Sequence, residues 1–478
     1  MLTNHYFRLT LASVICLSGC ATRTSRSTLG TRWPSSEPTV NLSEYASVQS
    51  RPGQRSDVAV AVAISGGGMR AANFAAGVLK ALEATEVRGV GGQKSNLLRE
   101  VDYFSTVSGG GLAAGSYITH LKEYQRLNPD DVAGRRFSFA AGGEKASAEG
   151  RNWRSSLAKN YQSSMVGALL NPMMLLGGKN RGDVLEGRLD EYVLGRHEGR
   201  SLKLGDIFAP RGGKPTVPYW VANGTVYENG AIFPFTPDVL SKYQITGYTH
   251  RLSSCELKTP ADMPLSLGMK TSASFPVAIP PTTMRSNRDP QNPLLHLMDG
   301  GVADNLGIIT AIRMLNQDKA PRKVLIIIDA YNGSAEPFSK TGIQPGMVLS
   351  ALRTTSISLD SSHQRVDNLL ASVAKPSGIS YAVIDFTRAL NEIDDEPGVT
   401  DLLRQTLGMD SMKRDETSPQ SVQAVFTQAL GVGTWFKIKP TEQETLLKAG
   451  ENAVYLQNGT ITPVPKLLPR MRAIQRLF

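Results

Sequence analysis

The chain has 478 residues, 41% hydrophobic and 20% charged, enough to bury one large core or two ordinary ones and too apolar for a disordered chain. Its formal charge of +10 suits an anionic membrane or nucleic acid, but no zinc finger, aromatic RNA-binding motif or lysine run accompanies it, which argues against nucleic acid. No His-x-x-x-His, cysteine pair or calcium loop occurs, so neither a metal nor another cofactor is expected.

Residues 1–19 read as a lipoprotein signal peptide. Arg8 supplies a minimal positive start, and Leu9 to Leu17 form an apolar stretch too short to remain in a bilayer. The stretch ends in Leu17-Ser18-Gly19-Cys20, which resembles a bacterial lipobox. Cys20 is therefore the expected lipidation site, with an ordinary secretion signal as the alternative. Ala21 follows rather than aspartate, favouring the outer membrane of a bacterial envelope. Residues 20–56, rich in Ser, Thr, Arg and Pro, read as a flexible tether. Cys255 then stands alone, so no disulfide framework is expected.

A globular domain is expected over 57–390. The run from Val58 to Ile64 suits a strand buried on both faces of a parallel sheet. Gly66-Gly67-Gly68 follows, then a helix over Met69 to Glu83. Val101 to Val107 reads as the next strand, ending at Ser108, and Gly109 to Lys122 as the next helix. Two strand–loop–helix units predict an α/β fold with crossover helices. Residues 123–205 look like an insertion, and the apolar Met165 to Leu176 within it reads as core packing or a lipid-facing flap. Val217 to Ala222, Leu294 to Met298 and Lys323 to Asp329 are further strands. A helical extension is expected over 391–478. Its last ten residues, with Met471, Ile474 and Leu477 on one face, are expected to dock on their own domain or to touch membrane.

Three motifs carry the chemistry: Ser65-Gly66-Gly67-Gly68-Met69-Arg70, Ser105-Thr106-Val107-Ser108-Gly109-Gly110 and Asp299-Gly300-Gly301. A serine between a strand and a glycine-led helix is the setting of a nucleophile elbow. Glycines at a helix N-terminus can aim backbone N–H groups at a developing oxyanion. An aspartate followed by two glycines can approach a serine closely and act as its base.

Taken in this order, the motifs resemble the patatin-like phospholipases, from about Val58 to Ile328. The resemblance implies a three-layer α/β fold with a mainly parallel central sheet. It implies a Ser108–Asp299 catalytic dyad, an oxyanion hole at Gly66, Gly67 and Gly68, and support from Arg70. Asp304 on the same loop is the fallback base. The segment Thr271 to Pro281 resembles the family's block before the aspartate and is expected behind the active site. Thr106 departs from the Gly-x-Ser-x-Gly pattern, and Ala71 stands where the family often has glycine. An ordinary aspartate is a weak base, with a pKa of about 3.9, so such a dyad is expected to rely on alignment.

Two rival chemistries fit fewer residues. Gly66-x-Gly68-x-x-Ala71 fits the dinucleotide fingerprint, but the next strand ends in a serine rather than an acid. A Ser-His-Asp triad would need His363, which follows Asp299 in chain order but lies in a polar stretch. The expected function is acyl-ester hydrolysis of phospholipids or related lipids by an envelope protein held to the membrane through Cys20. A catalytically idle lipid- or partner-binding lipoprotein and an acyltransferase using the same acyl-enzyme are the alternatives.

Overall fold

A computed structural model describes residues 53–145, 152–170, 180–197, 200–208, 215–250, 253–276, 278–331, 369–374, 376–386, 419–434, 436–456, 466–467, 471 and 474–478. Cys20, the tether to residue 52, and His363 lie outside the described residues.

The fold is built outward from β1 (Val58–Ile64), whose seven residues are all buried. Alternating valine and alanine give this strand two apolar faces, each of which must be covered. β1 pairs in parallel with β2 (Tyr103–Thr106) on one side and with β9 (Arg322–Asp329) on the other. β2 continues in parallel to β3 (Tyr219–Val226), and β9 to β10 (Ile379–Asp385). These five strands form the parallel centre of a 10-stranded sheet among the described residues.

Beyond β3 the sheet turns antiparallel. β4 (Ile232–Pro234) and β8 (Leu294–Asp299) both pair with β3. β8 pairs with β7 (Thr282–Ser286), β7 with β5 (Ile245–His250), and β5 with β6 (Ser253–Glu256). The path across the sheet is β6-β5-β7-β8-β3-β2-β1-β9-β10. The sequence predicts β1, β2, β3, β8 and β9 to within a few residues. The antiparallel wing on β5, β6 and β7 was not anticipated from it.

Helices cover both faces, giving three layers. α1 (Gly68–Ala84) follows β1, and α2 (Gly110–Leu127) follows β2. α3 (Arg181–Leu189) packs on α4 (Leu265–Ser272), and α5 (Ile308–Gln317) links the wing to β9. Two neighbours on β2 reveal the layering, because successive side chains on a strand point to opposite faces. The Ser105 hydroxyl donates to the Gly307 carbonyl at 2.6 Å, at the start of α5. Thr106 faces the other way, toward Gly111 of α2.

α6 (Pro440–Asn452) lies against α1 at glycine contacts. A Cβ on Gly77 would stand 2.2 Å from the Leu447 carbonyl oxygen, and one on Gly450 2.1 Å from that of Phe74. Gln443 adds a polar bond, donating to Asn73 Oδ1 at 2.9 Å. Met471 and Ile474 are buried in the same core. Met165 is also buried, whereas residues 171–176 of the proposed flap lie outside the described residues.

Candidate active site

Ser108 sits where β2 turns into α2, with φ at +48°. A non-glycine residue in this region is strained and persists only when its surroundings hold it there. The surroundings here are specific. The Ser108 N–H donates to the Ser272 hydroxyl at 2.9 Å, and α2 begins two residues later at Gly110. The turn is pressed onto the glycine loop: a Cβ on Gly109 would stand 2.0 Å from the Gly68 carbonyl oxygen. Only a glycine tolerates that approach. The Thr106 departure has a structural reason as well, since its hydroxyl accepts the Trp220 indole N–H at 2.9 Å.

Asp299 ends β8 and is buried. Its N–H donates to the Ser274 carbonyl at 3.0 Å, and its carbonyl accepts the Thr225 hydroxyl at 2.8 Å. Its carboxyl accepts the Gly301 N–H at 2.7 Å and lies in hydrogen-bonding reach of the Ser108 hydroxyl. Burial pushes the carboxyl up to about 7, against the pull of these two donors. That lies well above the value of about 3.9 for an ordinary aspartate. A carboxylate with a pKa near neutrality is intrinsically a stronger base than one near 4.

Asp304, the fallback base, does a different job. Its Oδ1 accepts the N–H groups of Leu306 and Gly307, each at 3.1 Å, and its Oδ2 that of Ile309 at 2.9 Å. It organises the start of α5. Burial raises its pKa too, opposed by these donors.

The three loop glycines are not equivalent. The Gly66 N–H donates to the Asn305 carbonyl at 2.9 Å, fastening the loop to the turn after Asp299. Gly67 and Gly68 have φ of +140° and +57° and open α1. Among the described residues neither of their N–H groups has an acceptor. They lie at a helix N-terminus, where free donors and the helix dipole favour negative charge. Arg70, one turn in, is buried and donates to the Val432 carbonyl at 3.2 Å. Its bond to that C-terminal segment braces the loop's helix.

The histidines described lie in other settings. His120 Nδ1 meets the Ser116 carbonyl at 2.7 Å, and His296 Nδ1 is 2.6 Å from Glu228. Among the described residues no group of three or more His, Cys, Asp or Glu could hold a metal ion, and no helix is long and apolar enough to cross a membrane.

The structure thus brings Ser108, Asp299 and the glycine loop together, with Ser108 and the loop following the carboxyl ends of the parallel strands β2 and β1. Sequence reasoning missed the roles of Ser272 and Trp220, whereas Asn305 was read with Asp304 as a structural pair on the loop after Asp299. Ser272 left a trace, lying in the hydroxyl-rich block noted before Asp299.

A family model described as patatin-like phospholipase matches residues 62–312, just over half of the chain. The chain belongs to the patatin-like phospholipase family. Membership supports a lipid-ester hydrolase in general terms. Among solved structures the chain is similar to human GIVD cytosolic phospholipase A2, at 12% identity and a TM-score of 0.41, covering 87% of this chain and 63% of that one. A second structure of that phospholipase, in complex with methyl gamma-linolenyl fluorophosphonate inhibitor and terbium chloride, gives 13% identity and a TM-score of 0.34, covering 90% and 61%. The chain therefore spans less than two thirds of the length of these structures. No curated protein matches it.

Proposed function

We propose that this patatin-like protein is a serine acyl hydrolase of membrane lipids, of the phospholipase A or lysophospholipase kind. Ser108 is the nucleophile and Asp299 its base. The observation that carries the reading is the Ser108 hydroxyl on a strained elbow, beside a buried carboxyl raised to about 7. Asp299 takes the hydroxyl proton as Ser108 Oγ attacks the ester carbonyl, and returns it to the leaving alcohol. Water then attacks the acyl-enzyme with the same aspartate as base; the acyl–Oγ bond breaks, the proton passes to Ser108 Oγ, and the free acid leaves. Gly67 and Gly68 supply the N–H groups for the tetrahedral oxyanion. Gly66, engaged with Asn305, holds the loop.

A fluorophosphonate tests this reading, because its phosphoryl oxygen mimics the oxyanion. The adduct should map to Ser108 by peptide mass spectrometry and vanish in Ser108→Ala. Labelling at Ser65, Ser105 or Ser116 would keep the enzyme class and overturn the site. Absence of labelling in folded protein would favour an idle lipid-binding lipoprotein. Acyl transfer uses the same acyl-enzyme and is separated by adding a second alcohol and weighing the products.

We also propose that acyl chains on Cys20 hold the protein at the outer membrane, on the strength of Leu17-Ser18-Gly19-Cys20. Each buried methylene contributes about 0.8 kcal/mol. Cys20→Ser should release the protein from salt-washed membranes. Retention of that variant would refute anchoring through Cys20.

A further inference from the structure

Ser272 touches both halves of the site. It is the last residue of α4 and is buried. Its hydroxyl oxygen accepts the Ser108 N–H at 2.9 Å. Its carbonyl accepts the N–H of Gly300, the residue after Asp299, at 3.3 Å. Two residues on, the Ser274 carbonyl accepts the Asp299 N–H at 3.0 Å. One short turn therefore fixes the backbones of nucleophile and base together.

That turn is itself held firmly. The Ser274 hydroxyl donates back to the Lys270 carbonyl at 3.0 Å. The Thr271 hydroxyl donates to the Leu267 carbonyl at 2.7 Å. Thr282 Oγ1 lies 2.6 Å from Thr271 Oγ1 and accepts the buried Lys270 ammonium at 2.8 Å. The Ser272 hydroxyl cannot drift without disturbing α4.

The Ser108 N–H needs this acceptor for a definite reason. With φ at +48°, Ser108 is outside helical geometry, and a buried N–H left unpaired is unfavourable. Rotating the elbow to find another partner would swing the hydroxyl away from Asp299.

We propose that Ser272 is a positioning residue for catalysis: its hydroxyl pins the Ser108 elbow while its carbonyl pins the turn that carries Asp299. The inference rests on the Ser108–Asp299 reading above and assigns Ser272 no contact with substrate. Misplacement of reacting groups by about 1 Å can lower rates on the order of 100-fold. Loss of such positioning lowers the chemical step more than substrate binding.

The experiment compares wild type, Ser272→Ala, Ser272→Thr and Ser272→Cys in full-length, detergent-solubilised protein. It measures melting temperature, kcat and KM on a short acyl ester, and the rate of fluorophosphonate labelling at Ser108. In Ser272→Ala, kcat and labelling rate should fall by roughly 10- to 100-fold while KM changes by less than about threefold. Ser272→Thr, which keeps the hydroxyl, should recover most of the loss. Folded Ser272→Ala with wild-type kcat and labelling rate overturns the role of Ser272 and leaves the dyad standing. Should Ser272→Ala not fold, the isosteric Ser272→Cys, whose thiol is the poorer acceptor, is decisive: wild-type turnover there overturns the inference equally. Wild-type protein that never labels at Ser108 removes the underlying reading as well.

Discussion

The indole N–H of Trp220 donates to the Thr106 hydroxyl at 2.9 Å, inside the sheet and two residues before the nucleophile. The residue that breaks the elbow's sequence pattern is thus the partner of one of the largest fully buried side chains. Thr106→Val should leave that indole N–H unpaired and lower stability by about 1–3 kcal/mol. Ser108 labelling should persist in the fraction that remains folded. Chemical denaturation and active-site titration on one sample check both halves.

Asp299 links activity and stability to pH in opposite senses. The proposed base must be ionised, so kcat should climb as pH rises through about 7. Stability should move the other way. An unfolded aspartate titrates near 3.9, so between that pH and about 7 the folded state binds more protons, and stability falls as pH rises. The full penalty is on the order of 4 kcal/mol. Asp299→Asn should abolish ester hydrolysis yet melt above wild type at pH 8, with the gap closing toward pH 4. A variant that melts below wild type at pH 8 would contradict the burial argument.

Gly68→Val should fold but be severely impaired. A β-branched residue is a poor occupant of φ +57°, and its strain would turn an N–H away from the oxyanion. Loss of one such donor lowers kcat on the order of 100- to 1,000-fold. Steady-state kinetics alongside circular dichroism decide the matter, and full activity would move the oxyanion hole elsewhere.

Behind the site, Lys270 and Glu186 are both buried and sense each other's charge. Burial pulls Lys270 down to about 8 and pushes Glu186 up to about 7, with each partner opposing the shift of the other. Removing one member should therefore be worse than removing both. Lys270→Met should destabilise, because the Thr282 hydroxyl and the Pro280 carbonyl lose their donor and Glu186 loses a compensating charge. Lys270→Met with Glu186→Gln should recover part of that loss. Urea midpoints of the two single variants and the double variant give the coupling, and strict additivity would deny the pair.

What was legible in the sequence was local. The Val58 to Ile64 run announced a central strand because both its faces are apolar, and Ser108 announced an elbow because glycines follow it. Partnerships between distant residues left no pattern. Ser272 acts on Ser108 across 164 positions, and nothing in its own neighbourhood says which N–H it meets. Asp299 and Asp304 offer the same carboxyl on one loop. They differ in which N–H groups surround them, which depends on where α5 begins. The raised pKa of Asp299 was equally hidden, because burial belongs to the assembled core. The antiparallel wing escaped because its short strands carry mixed side chains and lack the unbroken apolar run that marks β1 and β9.

The seam between α1 and α6 bears on when the protein becomes active. Gln443 grips Asn73 across 370 positions, and the glycine contacts around Gly77 and Gly450 span a similar length of chain. Contacts this far apart in sequence form late, because a long loop must close first. The helix that carries the glycine loop is therefore left without its outer partner until α6 has been made. Released chains truncated before Pro440 should remain unreactive toward a fluorophosphonate, whereas the full chain should react.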